Sequence, residues 1–189
     1  MGTDYEADIV KCLDTLRSGG IILYPTDTIW GVGCDASNNS AIQKIINLKN
    51  RPDIKAMILL VASKEMLLKY IEYPGEKIFE YLSEQKKPTT VIYKAKDEYD
   101  MLSNNGTIAL RITDDPFCNS LIKQFHKPIV STSANISGES SPENFKQVSD
   151  KIKSGVDFIV QHRQDDHSKV NPSAIIRMNQ NNTIEILRN

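Results

Sequence analysis

Apolar positions set out the elements before anything else does. Ile9, Val10, Leu13 and Leu16 recur at helical spacing and predict a helix over 8–16, closed by Gly19-Gly20. The apolar run 21–24 then reads as a strand. It breaks at Pro25 into a polar knot of Thr26, Asp27 and Thr28, and resumes as Ile29-Trp30 with glycines at 31 and 33. Ala41, Ile42, Ile45, Ile46 and Leu48 form a second helical stripe, with Ser40 and Gln43 as its capping box. That helix should stop near Lys49, because Pro52 disfavours helical backbone in the residue before it. The continuous apolar run 57–61 predicts a buried strand. Ser63 then caps a helix reaching Tyr70, and Pro74-Gly75 opens another through Leu82.

The second half alternates in the same way. Strands are expected at 89–93, at 107–112 after the Asn105-Gly106 turn, at 128–130 and at 156–160. Asp115-Pro116 starts a helix through Phe125, and Ser141-Pro142-Glu143 starts another with proline at its first position. Segment 95–104 fits neither pattern, and 161–173 reads as a long polar loop. A hairpin, 174–178 with 183–187 turned at 179–182, closes the chain. Strands alternating with helices give an α/β class, and the final hairpin makes the sheet mixed. One domain over 1–189 is expected.

Composition narrows the classes of function. The 189 residues are 40% hydrophobic and 25% charged, as in an ordinary soluble globular protein. No apolar run approaches the roughly 20 residues that span a bilayer, so no membrane association is expected. The acidic, polar stretch 1–8 does not read as a secretory signal. The chain has 3 cysteines and no CxxC pair, which argues against a disulfide framework and for a reducing cytoplasm. A net charge of −1 means that any basic, nucleic-acid-like surface must be local.

Candidate chemistry lies in four places. The knot of Thr26, Asp27 and Thr28 puts hydroxyls and a carboxylate between two buried strands, where they need partners from backbone or from a ligand. Lys49, Arg51 and Lys55 cluster after a helix end; they suit phosphate, and cations also sit well at a helix C-terminus for structural reasons. The loop 131–138, Ser-Thr-Ser-Ala-Asn-Ile-Ser-Gly, follows a strand, where α/β proteins collect ligands. Its hydroxyls suit phosphate, carboxylate or ribose, or simply bond their own backbone. No histidine or acid accompanies its serines, so a Ser-His-Asp nucleophile is not supported. Arg111, a lone cation in an apolar strand, needs a partner: an ordinary ion pair or a substrate carboxylate. The 162–167 segment, His-Arg-Gln-Asp-Asp-His, lacks a metal-ligand spacing and reads as solvated loop. No P-loop or GxGxxG occurs.

In this order, the segments YPTDTIWGVGCDA, LKNRP with Lys55 following, ALRITDDP, KPIVSTSANISG and NPSAII…ILR resemble the YrdC-like family of threonylcarbamoyl-adenylate synthases. The resemblance covers nearly the whole chain, from about Ile9 to Arg188. It looks like the short, single-domain form, because nothing follows Asn189. It implies the YrdC-like fold, a twisted mixed β-sheet with flanking helices. It also implies a reaction: L-threonine and bicarbonate form a carbamate, which attacks the α-phosphate of ATP. Pyrophosphate leaves, and threonylcarbamoyl-AMP goes to a separate tRNA threonylcarbamoyl transferase complex. Mg²⁺ is expected with the ATP.

By the same resemblance, Lys49, Arg51, Ser133 and Asn135 form a catalytic set holding ATP phosphates. Thr26, with Asp27 and Thr28, contacts threonine, and Arg111 takes its carboxylate. Ser131 and Ser173 sit near the substrates; Thr90, Ser141 and Arg188 fall at the nucleotide. Gly31 and Gly33 are read as close-packing positions. The chain departs from the family at Lys86-Lys87-Pro88-Thr89-Thr90, where a PGPxT loop is usual, and at Trp30, where tyrosine or phenylalanine is usual. Leu60 stands where some members have histidine, so no role is carried to it. A reading from another class makes the protein an RNA-binding factor in tRNA or ribosome maturation, gripping tRNA or double-stranded RNA through Lys49, Arg51, Lys55, Lys86 and Lys87. A third, a domain like that of hydrogenase maturation proteins, lacks the acylphosphatase-like and zinc-finger segments of those larger chains.

Overall fold

Alternation at every second residue sorts the strand side chains onto two faces of one sheet, and the helices cover those faces unequally. The computed structural model describes residues 4–50, 57–103, 105–168, 170–179 and 183–189. Arg51 and Lys55 lie outside the described residues. The strands are β1 (Ile22–Tyr24), β2 (Gly31–Asp35), β3 (Ile58–Val61), β4 (Thr89–Lys94), β5 (Thr107–Ile112), β6 (Ile129–Ser133), β7 (Phe158–Ile159), β8 (Ala174–Met178) and β9 (Ile184–Arg188). They pair in the order β7-β1-β2-β6-β3-β5-β4-β8-β9. The β1–β7, β3–β5 and β4–β8 pairs are parallel and the remaining named pairs antiparallel, so the sheet is mixed throughout, not only at its closing hairpin.

On the first face, Val32, Leu59, Val61, Val91, Leu110, Val130 and Ile176 join a core with Ala41, Ile42 and Ile45 of α2 (Asn39–Leu48) and Ile78 of α4 (Glu76–Glu84). On the second, Ile22, Tyr24, Leu60 and Ile129 pack under α1 (Glu6–Arg17) and α5 (Pro116–Phe125). Among the described residues that second core takes nothing from β4, β5 or β8. Half of the second face therefore carries no helical cover from the described residues.

Several boundaries differ from those expected. The strand after the knot begins at Gly31, two residues later than the apolar pattern indicates. Asn38, not Ser40, caps α2: its backbone is extended and its Oδ1 accepts from Ala41 N at 3.1 Å, while Ser40 already lies inside the helix. Ser63 does cap α3, but that helix is only Lys64–Leu67, because Ile71 is drawn into a bridge with Ala95. Ser141-Pro142 starts no helix. Asn144 instead caps a single 3-10 turn, Phe145–Gln147, whose Phe145 ring packs on Trp30 at 4.8 Å, and Ser149 caps α6 (Asp150–Ser154). The segment 95–104 contains a 3-10 stretch, Asp97–Leu102. Strand β6 runs on to Ser133, so the first hydroxyls of the 131–138 loop belong to the sheet.

Candidate active site

Beyond the reach of α1 and α5, the bare half of the second face is the floor of a cavity of about 310 Å³. That volume suits a small-molecule site. The same alternation that sends Val91, Leu110 and Val130 into the first core points Thr90, Ala109, Arg111, Ser131 and Ser133 toward this cavity. Gly31 lies in the floor; a Cβ there would sit 3.2 Å from Ser131 Oγ and 3.5 Å from Thr26 Cγ2. Gly33 serves packing instead, since its Cβ would meet Tyr24 Cε1 and the Val130 carbonyl, both at 2.7 Å.

The knot forms one end. Thr26 Oγ1 donates to the Ile29 carbonyl at 2.8 Å, accepts from Thr28 N at 3.0 Å and pairs with Thr28 Oγ1 at 2.9 Å. Its buried hydroxyls are thus satisfied by the protein itself, and their need for partners does not by itself call for a ligand. The charges tell more. Arg111 Nη2 pairs with Asp27 Oδ1 at 2.8 Å, and Thr28 Oγ1 lies 3.5 Å away. Arg111 Nε is buried without a hydrogen-bond partner. Burial pushes the Asp27 carboxyl above its ordinary range, and the Arg111 charge offsets this only in part. Asp27 opens toward an adjoining cavity of about 140 Å³, whose wall includes Thr26, Thr28 and Trp30.

The other end is built from β4, β8 and β9. Thr90 Oγ1 and Ser173 Oγ are 2.9 Å apart, and Arg188 donates to the Ser173 carbonyl from Nη2 at 2.9 Å and from Nε at 3.1 Å. Burial, then repulsion from Arg111, pulls the Arg188 guanidinium below its ordinary value. Two guanidinium groups therefore act on each other through one cavity, a field that favours an anionic ligand. Ser141 also stands on the wall, held there in non-helical backbone.

Thr26, Thr28, Arg111, Ser131, Ser133, Thr90, Ser141, Ser173 and Arg188 of the expected residues are brought together on this wall. Lys49 and Asn135 do not line it. Lys49 is 2% exposed, and its Nζ donates to the Ser133 and Asn135 carbonyls, pinning the segment that leaves β6. Asn135 Nδ2 donates to the carbonyls of Ile136 at 2.9 Å and Glu139 at 2.8 Å, while its Oδ1 is buried with no partner. Sequence reasoning missed Arg163, assigned to a solvated loop, and Asp115, read only as a helix start. Arg163 Nη1 lies 2.6 Å from Asp115 Oδ2, and no spacing in the chain signals that contact.

A family model described as telomere recombination, Sua5_yciO_yrdC, matches residues 14–189. The chain belongs to this family. A threonylcarbamoyl-AMP synthase of Vibrio parahaemolyticus serotype O3:K6 is 38% identical over 151 residues, spanning 75% of this chain and 82% of that relative. One from Idiomarina loihiensis is 34% identical over 175 residues, 90% of this chain and 93% of its own. The structure of P. abyssi Sua5 complexed with L-threonine matches with a TM-score of 0.80 at 23% identity, covering 97% of this chain and 54% of the other. This Sua5–YciO–YrdC member thus spans about half of that protein, and the likeness there is one of fold.

Proposed function

We propose that this enzyme is a threonylcarbamoyl-AMP synthase, a nucleotidyltransferase joining L-threonine, bicarbonate and ATP. The observation that carries the reading is 34% identity to a synthase of that name across 90% of this chain and 93% of that one. The cavity supports it with a cationic, hydroxyl-lined wall on a sheet face that no described helix covers. Threonine lies at the knot, its carboxylate toward Arg111, whose Nε offers a donor that Asp27 does not use. ATP lies toward Thr90, Ser173 and Arg188, with Ser133 and Ser141 beside its phosphates. The carbamate oxygen formed on the threonine nitrogen attacks the α-phosphorus in line, and pyrophosphate departs on the opposite side. Such chemistry depends on positioning and on neutralising charge, which the two guanidinium groups supply. Lys49 contributes by fixing the Ser133–Asn135 backbone.

Mg²⁺ is proposed to enter as the ATP complex, neutralising phosphate charge. The described wall offers hydroxyls and guanidinium groups, and Asp27 is already ion-paired, so these side chains do not form a resident metal site. The product serves a downstream tRNA threonylcarbamoyl transferase complex in the cytoplasm. The test is pyrophosphate release from ATP by purified protein. Release requiring both L-threonine and bicarbonate is expected; release indifferent to threonine, or none where a known synthase works, would sink the proposal.

A further inference from the structure

Arg163 combines an unfavourable backbone with an unusually well-directed side chain. Its φ of 64° lies in the left-handed region. Other non-glycine residues there have local reasons: Asn50 and Asn105 are of the type that tolerates it, and His126 is the left-handed C-cap of α5. Arg163 sits inside a loop with neither excuse, so its surroundings must hold it. They do. Gln161 N and His162 N both donate to Asp8 Oδ2, at 3.0 and 2.8 Å, and the His162 ring lies against Tyr5 and Phe117 with centroids 4.9 and 5.8 Å apart.

From this fixed start the guanidinium reaches the knot. Nη1 donates to Asp115 Oδ2 at 2.6 Å, and Nη2 donates to the Thr26 carbonyl at 2.5 Å. Asp115 is itself fixed, because its Oδ1 caps α5 by accepting from Cys118 N at 2.9 Å. Cys118 Sγ donates to the Pro25 carbonyl at 3.3 Å. The two carbonyls immediately before Asp27 are therefore both tied to the N-terminus of α5, one of them through Arg163. Fixing the Thr26–Asp27 peptide fixes where Thr26 presents its hydroxyl and how Asp27 meets Arg111. Arg163 borders the smaller cavity and is not on the wall of the larger one.

We propose that Arg163 is a positioning residue that sets the knot for L-threonine without touching it. The proposal rests on the reading of the knot as the threonine end of the site. Glycine accepts a positive φ freely, so Arg163→Gly removes the guanidinium while leaving the loop backbone unstrained. Lysine keeps the charge but cannot bridge two acceptors with a planar fork. The test compares wild type, Arg163→Gly and Arg163→Lys by equilibrium binding of L-threonine and of ATP, and by amide hydrogen exchange at Thr28 in the free proteins. In Arg163→Gly, at least tenfold faster Thr28 exchange and at least tenfold weaker threonine binding are expected, with ATP affinity within threefold of wild type. Arg163→Lys should recover part of both losses. Unchanged Thr28 exchange overturns the proposal, as does an equal loss of threonine and ATP affinity with a lowered thermal midpoint, which marks a general structural role. Wild-type protein that binds ATP but no L-threonine refutes the functional reading instead; the exchange comparison, made without ligand, still decides whether Arg163 holds the knot.

Discussion

Arg111 and Asp27 form an ion pair with side chains only 4% and 15% exposed. Removing two charges from water costs more than their attraction returns unless the geometry is very favourable. Here the Asp27 carboxyl is raised above 3.8, so its ionised form is the costlier one in the folded state. A raised value means that Asp27 contributes most to stability when protonated, and that this contribution is lost as pH rises from the unfolded value through the folded one. Asp27→Asn should therefore be at least as stable as wild type at pH 7, with the difference shrinking as pH falls through the raised folded value and gone below about 4, where wild type also carries a neutral group in both states. Urea unfolding of both proteins from pH 3 to 7 measures this. An Asn variant that is less stable at pH 7 and recovers in acid would reverse the sign. Activity should go the other way, falling about tenfold at pH 7, because Arg111 loses the group that orients it.

At the scale of elements, cap chemistry supplies a comparison between neighbours. Asn38 accepts the Ala41 amide and lies in extended backbone, whereas Ser40 is a helical residue on an exposed turn. Asn38→Ala should cost about 1 kcal/mol of stability and Ser40→Ala less than about 0.5 kcal/mol, as read by denaturant midpoints. The opposite order would restore Ser40 as the cap. Much of the architecture was legible because strong periodicity leaves little choice: the 107–112 strand and the helix from Pro116 through Phe125 fall where the pattern sets them. Short segments were not legible in the same way. The Ser141-Pro142-Glu143 signal is overridden where Ser141 joins the cavity wall and Phe145 packs on Trp30. The helix after Ser63 ends early because a bridge to Ala95 claims the chain. Lys49 shows the limit for site residues: its position after a helix was readable, but its burial against the Ser133 and Asn135 carbonyls comes from a pairing across the fold. Arg163 shows it more sharply, since its partner Thr26 is 137 positions away.

For the molecule as a whole, the site exists because, among the described residues, two helices cover half of a sheet face and no helix packs on the rest. The residues under α1 and α5 are large and apolar, while those on the bare half are glycine, alanine, serine, threonine and arginine among a few isoleucines. A face so composed gains little from a helical cover, and its two guanidinium groups favour an anion in its place. Synthesis of threonylcarbamoyl-AMP is the claim that joins this geometry to the family. Isotopically labelled bicarbonate, supplied with ATP and L-threonine to the purified protein, tests it most directly. Label should appear in a compound containing both AMP and threonine, with one pyrophosphate released per labelled molecule. Pyrophosphate release that leaves the label in bicarbonate would contradict it.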